Sequence, residues 1–198
     1  NSISSFSIPP IVGSSIGFTI TFDFRLSNRF DGVNPKYGFS INYGNASLGL
    51  LGSGENGMAF EDLVTENISF EIDFWENEEE EQTPEFRITT SHEGYTEQLA
   101  NIQGNIFYDG ETRDGSVFIH WDSNNGASFY THGLYTNASF EDIDTHFIGN
   151  DNYTFTISSQ VGYTSEIIYI NNLCIHTEEG ESSRPSRPFP QPEPEPEP

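Results

Sequence analysis

The stretch "IGFTITFDFRL", residues 16–26, alternates without a break: Ile16, Phe18, Ile20, Phe22, Phe24 and Leu26 are apolar, and Thr19, Thr21, Asp23 and Arg25 fall between them. Successive side chains leave a strand on opposite sides, so a period of two marks a strand with one face on a core and one on water. The same alternation returns in Tyr37, Phe39, Ile41 and Tyr43, in Val117, Ile119 and Trp121, and in Tyr153, Phe155 and Ile157. Between these runs lie "DGVNP", "GSGENG", "DGETRDG" and "SNNG", whose Gly, Asn, Asp and Pro residues suit turns. No segment carries a convincing helical period. Many short strands separated by turn signals predict an all-β fold, an antiparallel sandwich of the jelly-roll type over residues 1–176.

At 198 residues the chain is long enough to bury a sizeable core. Its net charge of −24, with only seven Lys and Arg, excludes nucleic acid as a partner and disfavours anionic membranes, because phosphates could not be neutralised. No apolar run is long enough to span a bilayer. The chain begins at Asn1, as a secretory protein does once its leader is removed, and four sequons agree with an extracellular or cell-surface glycoprotein: Asn45, Asn67, Asn137 and Asn152. Asn67 and Asn152 open strands, and both are expected on accessible faces. Cys174 is the one cysteine, which rules out an intrachain disulfide; within "IIYINNLCI" it is expected as a buried thiol. His92, His120, His132, His146 and His176 have no paired spacing, so a zinc site is not expected.

A second stretch carries the candidate chemistry. In "NISFEIDFWEN", residues 67–77, Ile68, Phe70, Ile72 and Phe74 form the core face, which leaves Glu71, Asp73, Trp75 and Asn77 together on the other. Two carboxylates and an amide in a row suit a hard cation or a solvated sheet face. The run Glu78 to Glu81 is expected as a solvated loop.

The succession "GFTITFDFRL", "YGFSINYG", "GSGENGMAFEDLVTENISFEIDFWEN", "FRITTSHEG", "GSVFIHWDSNNGASFYTHG" and "NYTFTISSQVGYTSEIIYINNLCI" resembles the L-type lectin, concanavalin A-like domains of legume and secretory-pathway lectins, over about residues 14–176. In that family a strand of the form Glu-x-Asp-x-aromatic-x-Asn binds paired metal ions beside the sugar pocket. The resemblance therefore implies Ca2+ at Glu71, Asp73, the Trp75 carbonyl and Asn77. Two positions depart from the family. Its further metal ligands would fall near Gln82 and Arg87, and its sugar-binding Asp is Tyr37 here. Laminarinase-like glucanases share the fold and offer a rival: "EIDFWE" fits a retaining β-glucanase with Glu71 as nucleophile, Asp73 as helper and Glu76 as acid/base, the last turned by a bulge.

Composition changes after His176. Residues 177–198, "TEEGESSRPSRPFPQPEPEPEP", hold seven of the eleven prolines and almost no apolar side chains, so they form an extended polyproline II tail or linker. Arg184, Arg187 and Phe189 are its candidate docking residues. The expected function is thus a non-catalytic, structural or adhesive lectin-like module, which self-associates or binds other extracellular proteins and builds a filament through its tail. A Ca2+-dependent lectin that binds glycans is the main alternative, ahead of the glucanase.

Overall fold

The computed structural model describes residues 2–28, 38–46, 66–73, 85–93, 95–103, 113–132, 139–161 and 166–177. Among them are eleven strands and no helix: β1 (Ser2–Ile8), β2 (Gly17–Asn28), β3 (Gly38–Gly44), β4 (Glu66–Asp73), β5 (Glu85–His92), β6 (Tyr95–Gln103), β7 (Arg113–Asp122), β8 (Gly126–His132), β9 (Ser139–Ile143), β10 (Thr154–Val161) and β11 (Glu166–Thr177). They form a six-stranded sheet in the order β1-β10-β3-β4-β5-β6 and a five-stranded sheet in the order β11-β2-β7-β8-β9. All pairings are antiparallel.

The alternation of β2 does what its period requires. Phe18, Ile20, Phe22 and Phe24 are buried between the sheets, where they meet Phe39, Ile41 and Tyr43 of β3, Ile68, Phe70 and Ile72 of β4, and Val117, Ile119 and Trp121 of β7. Ile16 departs from the pattern at 38% exposed, because it closes the turn before β2, with its N–H donating to the Gly13 carbonyl. Each large core side chain contributes roughly 1.5–3 kcal/mol by leaving water, and the aromatic rings add specific geometry. Phe18 meets Tyr43 edge-on at 4.9 Å and Phe155 at 5.0 Å, while Tyr43 stacks on Phe155 at 4.7 Å.

The same aromatic cluster anchors the segment 144–153. Tyr43 donates its hydroxyl hydrogen to the Asn150 carbonyl at 2.8 Å and accepts from the Asn150 N–H at 3.2 Å. Trp121 Nε1 donates to Thr145 Oγ1 at 3.2 Å. A buried polar group left unpaired is expensive, so these bonds fix the loop as firmly as its apolar contacts do. The "SNNG" turn forms between β7 and β8 as expected. Asp122 Oδ1 accepts the N–H groups of Asn124 (2.8 Å) and Asn125 (2.7 Å), and Gly126 takes φ +81°, where an added Cβ would lie 2.1 Å from the Ile143 carbonyl oxygen.

Cys174 differs from expectation. It is half-buried rather than buried, with Sγ 3.2 Å from His176 Nε2, because β11 is an edge strand and a bulge between Asn171 and Cys174 shifts the phase of its side chains.

Candidate functional site

On β4 the predicted division of faces is correct and the predicted exposure is not. Ile68, Phe70 and Ile72 point into the core, and Asn67, Ser69 and Glu71 point away from it, yet Asn67 is 2% exposed and Glu71 1%. Their neighbours on β3 and β10, Ser40, Asn42, Thr156 and Ser158, are buried as well. Asn67 stands opposite Gly44, so close that a Cβ at position 44 would lie 2.5 Å from the Asn67 Cβ. The accessible position expected for the Asn67 sequon is thereby corrected. Asn45 and Asn152 are exposed, and Asn137 lies outside the described residues.

The cross-strand register explains what Glu71 does. Ser40, Glu71, Arg87 and Asn101 face one another across β3, β4, β5 and β6. Arg87 Nε donates to Glu71 Oε2, and Thr89 Oγ1 donates to Glu71 Oε1 at 2.8 Å. The same guanidinium donates through Nη1 to Glu85 Oε1 at 2.7 Å, and Asn101 Nδ2 donates to Glu85 Oε2 at 2.6 Å. One cation therefore serves two carboxylates in a closed row, with charge-assisted hydrogen bonds of the strong kind.

This geometry tests the calcium set implied by the sequence resemblance. Glu71 is 1% exposed, and the Arg87 guanidinium bound to one of its oxygens would repel a second cation. Glu71 does not fit as a metal ligand. Trp75, Asn77 and Glu76 lie outside the described residues, as does the side chain of Asp73. Among the described residues no group of three or more His, Cys, Asp and Glu could hold a metal ion.

Depressions also open elsewhere among the described residues. The first, of about 460 Å3, lies at one end of the sandwich and is lined by Glu66, His92, Glu97, His146, Phe147 and Tyr153, among others. There the Tyr153 hydroxyl donates to Glu66 Oε2. Burial, then that bond to a carboxylate, pushes the Tyr153 phenol up to about 12. The second, of about 910 Å3, crosses the outer face of the five-stranded sheet, and Asp23, Arg25, Asp114, Ser116, Tyr169 and Asn172 contribute to its wall. Sequence reasoning placed Asp23 on the polar face of β2 and went no further; its partners Ser116 and Asn172 are 93 and 149 residues away, and no local pattern announces them.

No protein-family model matches the sequence, and no curated protein does. Solved structures do match the fold. The exoplasmic/lumenal domain of VIP36, in a form bound to Ca2+ and mannose, is 12% identical with a TM-score of 0.63, over 93% of this chain and 78% of that one. The basic winged bean lectin with Tn-antigen is 14% identical with a TM-score of 0.60, over 85% and 75%. The fold is L-type lectin-like. The carbohydrate recognition domain of Emp46p, in a metal-free form, has the same architecture at 11% identity and a TM-score of 0.59, covering 89% of this chain and 78% of its own. At these identities the likeness establishes the arrangement of the L-type lectin sheets in this chain, and the side chains on their surfaces have to be argued for themselves.

Proposed function

We propose that this chain is a non-catalytic, lectin-like recognition module of a secreted or secretory-pathway glycoprotein, which holds glycans or glycoproteins on its surface without cleaving them. One observation carries the non-catalytic half: the Glu71 carboxylate is locked between Arg87 and Thr89. A retaining glycosidase needs that carboxylate free to attack an anomeric carbon, about 5 Å from its acid partner. A carboxylate that is 1% exposed and ion-paired to a guanidinium is poorly suited to the task. The fold shared with glycan-binding domains supports the recognition half.

The test is a glycan array run with and without Ca2+, beside a reducing-sugar assay on a soluble β-1,3-glucan. Binding to at least one glycan with no hydrolysis is expected. Release of reducing ends that is lost in a Glu76→Gln variant would restore the glucanase.

Three finer parts belong to the proposal. Calcium, in this reading, is held by Asp73, the Trp75 carbonyl and Asn77 without Glu71. Exposed Asn45 and Asn152 carry glycans, which intact mass before and after glycosidase treatment would register. The tail of residues 177–198, through Arg184, Arg187 and Phe189, joins one copy to the next on an extracellular filament. Polyproline II is already extended and loses little entropy on docking. Light scattering of a chain truncated after His176 should then show smaller species than the full chain.

A further inference from the structure

Asp23 lies midway along β2 on the outer face of the five-stranded sheet, between β7 and the edge strand β11, and each of its oxygens is held by a neutral donor. Ser116 Oγ donates to Oδ1 at 2.7 Å from β7, and Asn172 Nδ2 donates to Oδ2 at 2.7 Å from β11. Those bonds, the Asn172 one foremost, hold the Asp23 carboxyl below the usual carboxylate range, so it is ionised at neutral pH. Asn172 reaches it because the β11 bulge places that residue at φ +54°, a left-handed conformation that Asn tolerates better than most side chains. A carboxylate has about four acceptor positions, and two donors leave room for two more.

The wall around it has a definite chemistry. Tyr169 of β11 is 48% exposed and stands across from Arg25 of β2. Arg25 is paired with Asp114 through Nε at 2.5 Å and Nη2 at 3.0 Å, an exposed pair whose two charges balance. The unneutralised charge of the pair-and-carboxylate set is the negative one on Asp23. An anionic ligand would be repelled by it and by the chain's net charge of −24. Among the described residues Asp23 belongs to no group of three or more His, Cys, Asp and Glu that could hold a metal ion. A neutral ligand with adjacent hydroxyl donors and a flat C–H face meets every requirement: two hydroxyls on the carboxylate, and the apolar face on the Tyr169 ring.

We propose that this depression is a metal-independent binding site for a neutral saccharide, with Asp23 as the hydroxyl acceptor, Ser116 and Asn172 as its positioning residues and Tyr169 as the stacking platform. The proposal rests on the lectin-like reading above and gives it a place on the molecule. The experiment is an array of neutral oligosaccharides with their sialylated counterparts, probed with the full chain, with Asp23→Asn and with Tyr169→Ala, each in calcium and in EDTA. The expected result is binding to neutral glycans, weaker binding to the sialylated forms, a loss of about tenfold or more in each variant, and no effect of EDTA. Melting temperatures of the variants should stay within about 5 °C of the wild type, since both side chains lie on the open face; an Asn172→Gly variant, which keeps the backbone conformation and removes the amide, should weaken binding as well. Neutral-glycan binding that persists in both variants, or that EDTA abolishes, would overturn this site and leave the lectin-like reading standing. A wild type that binds no glycan at high valency would overturn both.

Discussion

The two sheets each carry a carboxylate on the outer face, and the two are treated in opposite ways. On the six-stranded sheet Glu71 is 1% exposed and meets a guanidinium and a hydroxyl. On the five-stranded sheet Asp23 meets a hydroxyl and an amide, keeps its charge, and opens onto a depression. The contrast lies in the partners. A cationic donor cancels the charge and permits burial, whereas neutral donors orient the charge and leave it for a ligand. A carboxylate on a lectin-like sheet is therefore no guide to function until its cross-strand partner is known.

The largest effect expected from breaking this contrast is at Arg87. Arg87→Met would leave Glu71 buried with an uncompensated charge and should cost about 3–5 kcal/mol, measured as a fall in the urea midpoint. The double change Glu71→Leu with Arg87→Met should recover the part of that loss that belongs to Glu71, because an apolar pair replaces a buried ion pair at little cost, while Glu85 remains without its cation. A single-variant loss below about 1 kcal/mol would mean that this face is open to solvent after all.

Glu66 and Tyr153 sharpen the comparison, since here a carboxylate of the six-stranded sheet meets a neutral donor. The Tyr153 phenol, pushed up to about 12 from its ordinary 10.0, binds its proton more tightly in the folded chain than in the unfolded one. Its contribution is complete below pH 10 and is lost as pH rises from 10 towards 12, by up to about 1.4 kcal/mol per pH unit. Urea midpoints across that range should fall more steeply for the wild type than for Tyr153→Phe. Equal slopes would assign the loss to other groups.

A smaller effect is expected at Asp23. Asp23→Asn should cost about 1 kcal/mol or less at neutral pH, because the group is partly solvated and its donors are neutral. With its folded value held below the usual 3.8, the wild-type carboxylate stabilises the fold above that pH and loses the contribution as pH falls through the folded value. The stability difference between wild type and variant should therefore narrow on acidification. A difference that widens instead would contradict the hydrogen bonds from Ser116 and Asn172.

The smallest predicted difference concerns calcium. Because Glu71 is engaged within the protein, Glu71→Gln should show the same change in melting temperature on chelation as the wild type does. A chelator response that exists only when residue 71 is a carboxylate would return Glu71 to the metal.

The amino-acid order by itself determined which side of each long strand faces the core. Phe18 to Phe24, Ile68 to Ile72 and Val117 to Trp121 are buried as their alternation requires, since a strand's period of two leaves no other arrangement once one face is apolar. It also determined the all-β class and, through the succession of segments, the L-type lectin-like fold. What it could not contain is register. Whether Glu71 faces Arg87 or a loop, and whether Asp23 faces Ser116 and Asn172, depends on pairings between residues 16, 93 and 149 positions apart. Alternation says that Asn67 and Glu71 leave the core face, and only the packed sheet decides that this second face is closed too. Burial, charge compensation and an open carboxylate are properties of neighbours brought together in space, so on this chain the tertiary structure alone separates the sealed face from the one that can hold a ligand.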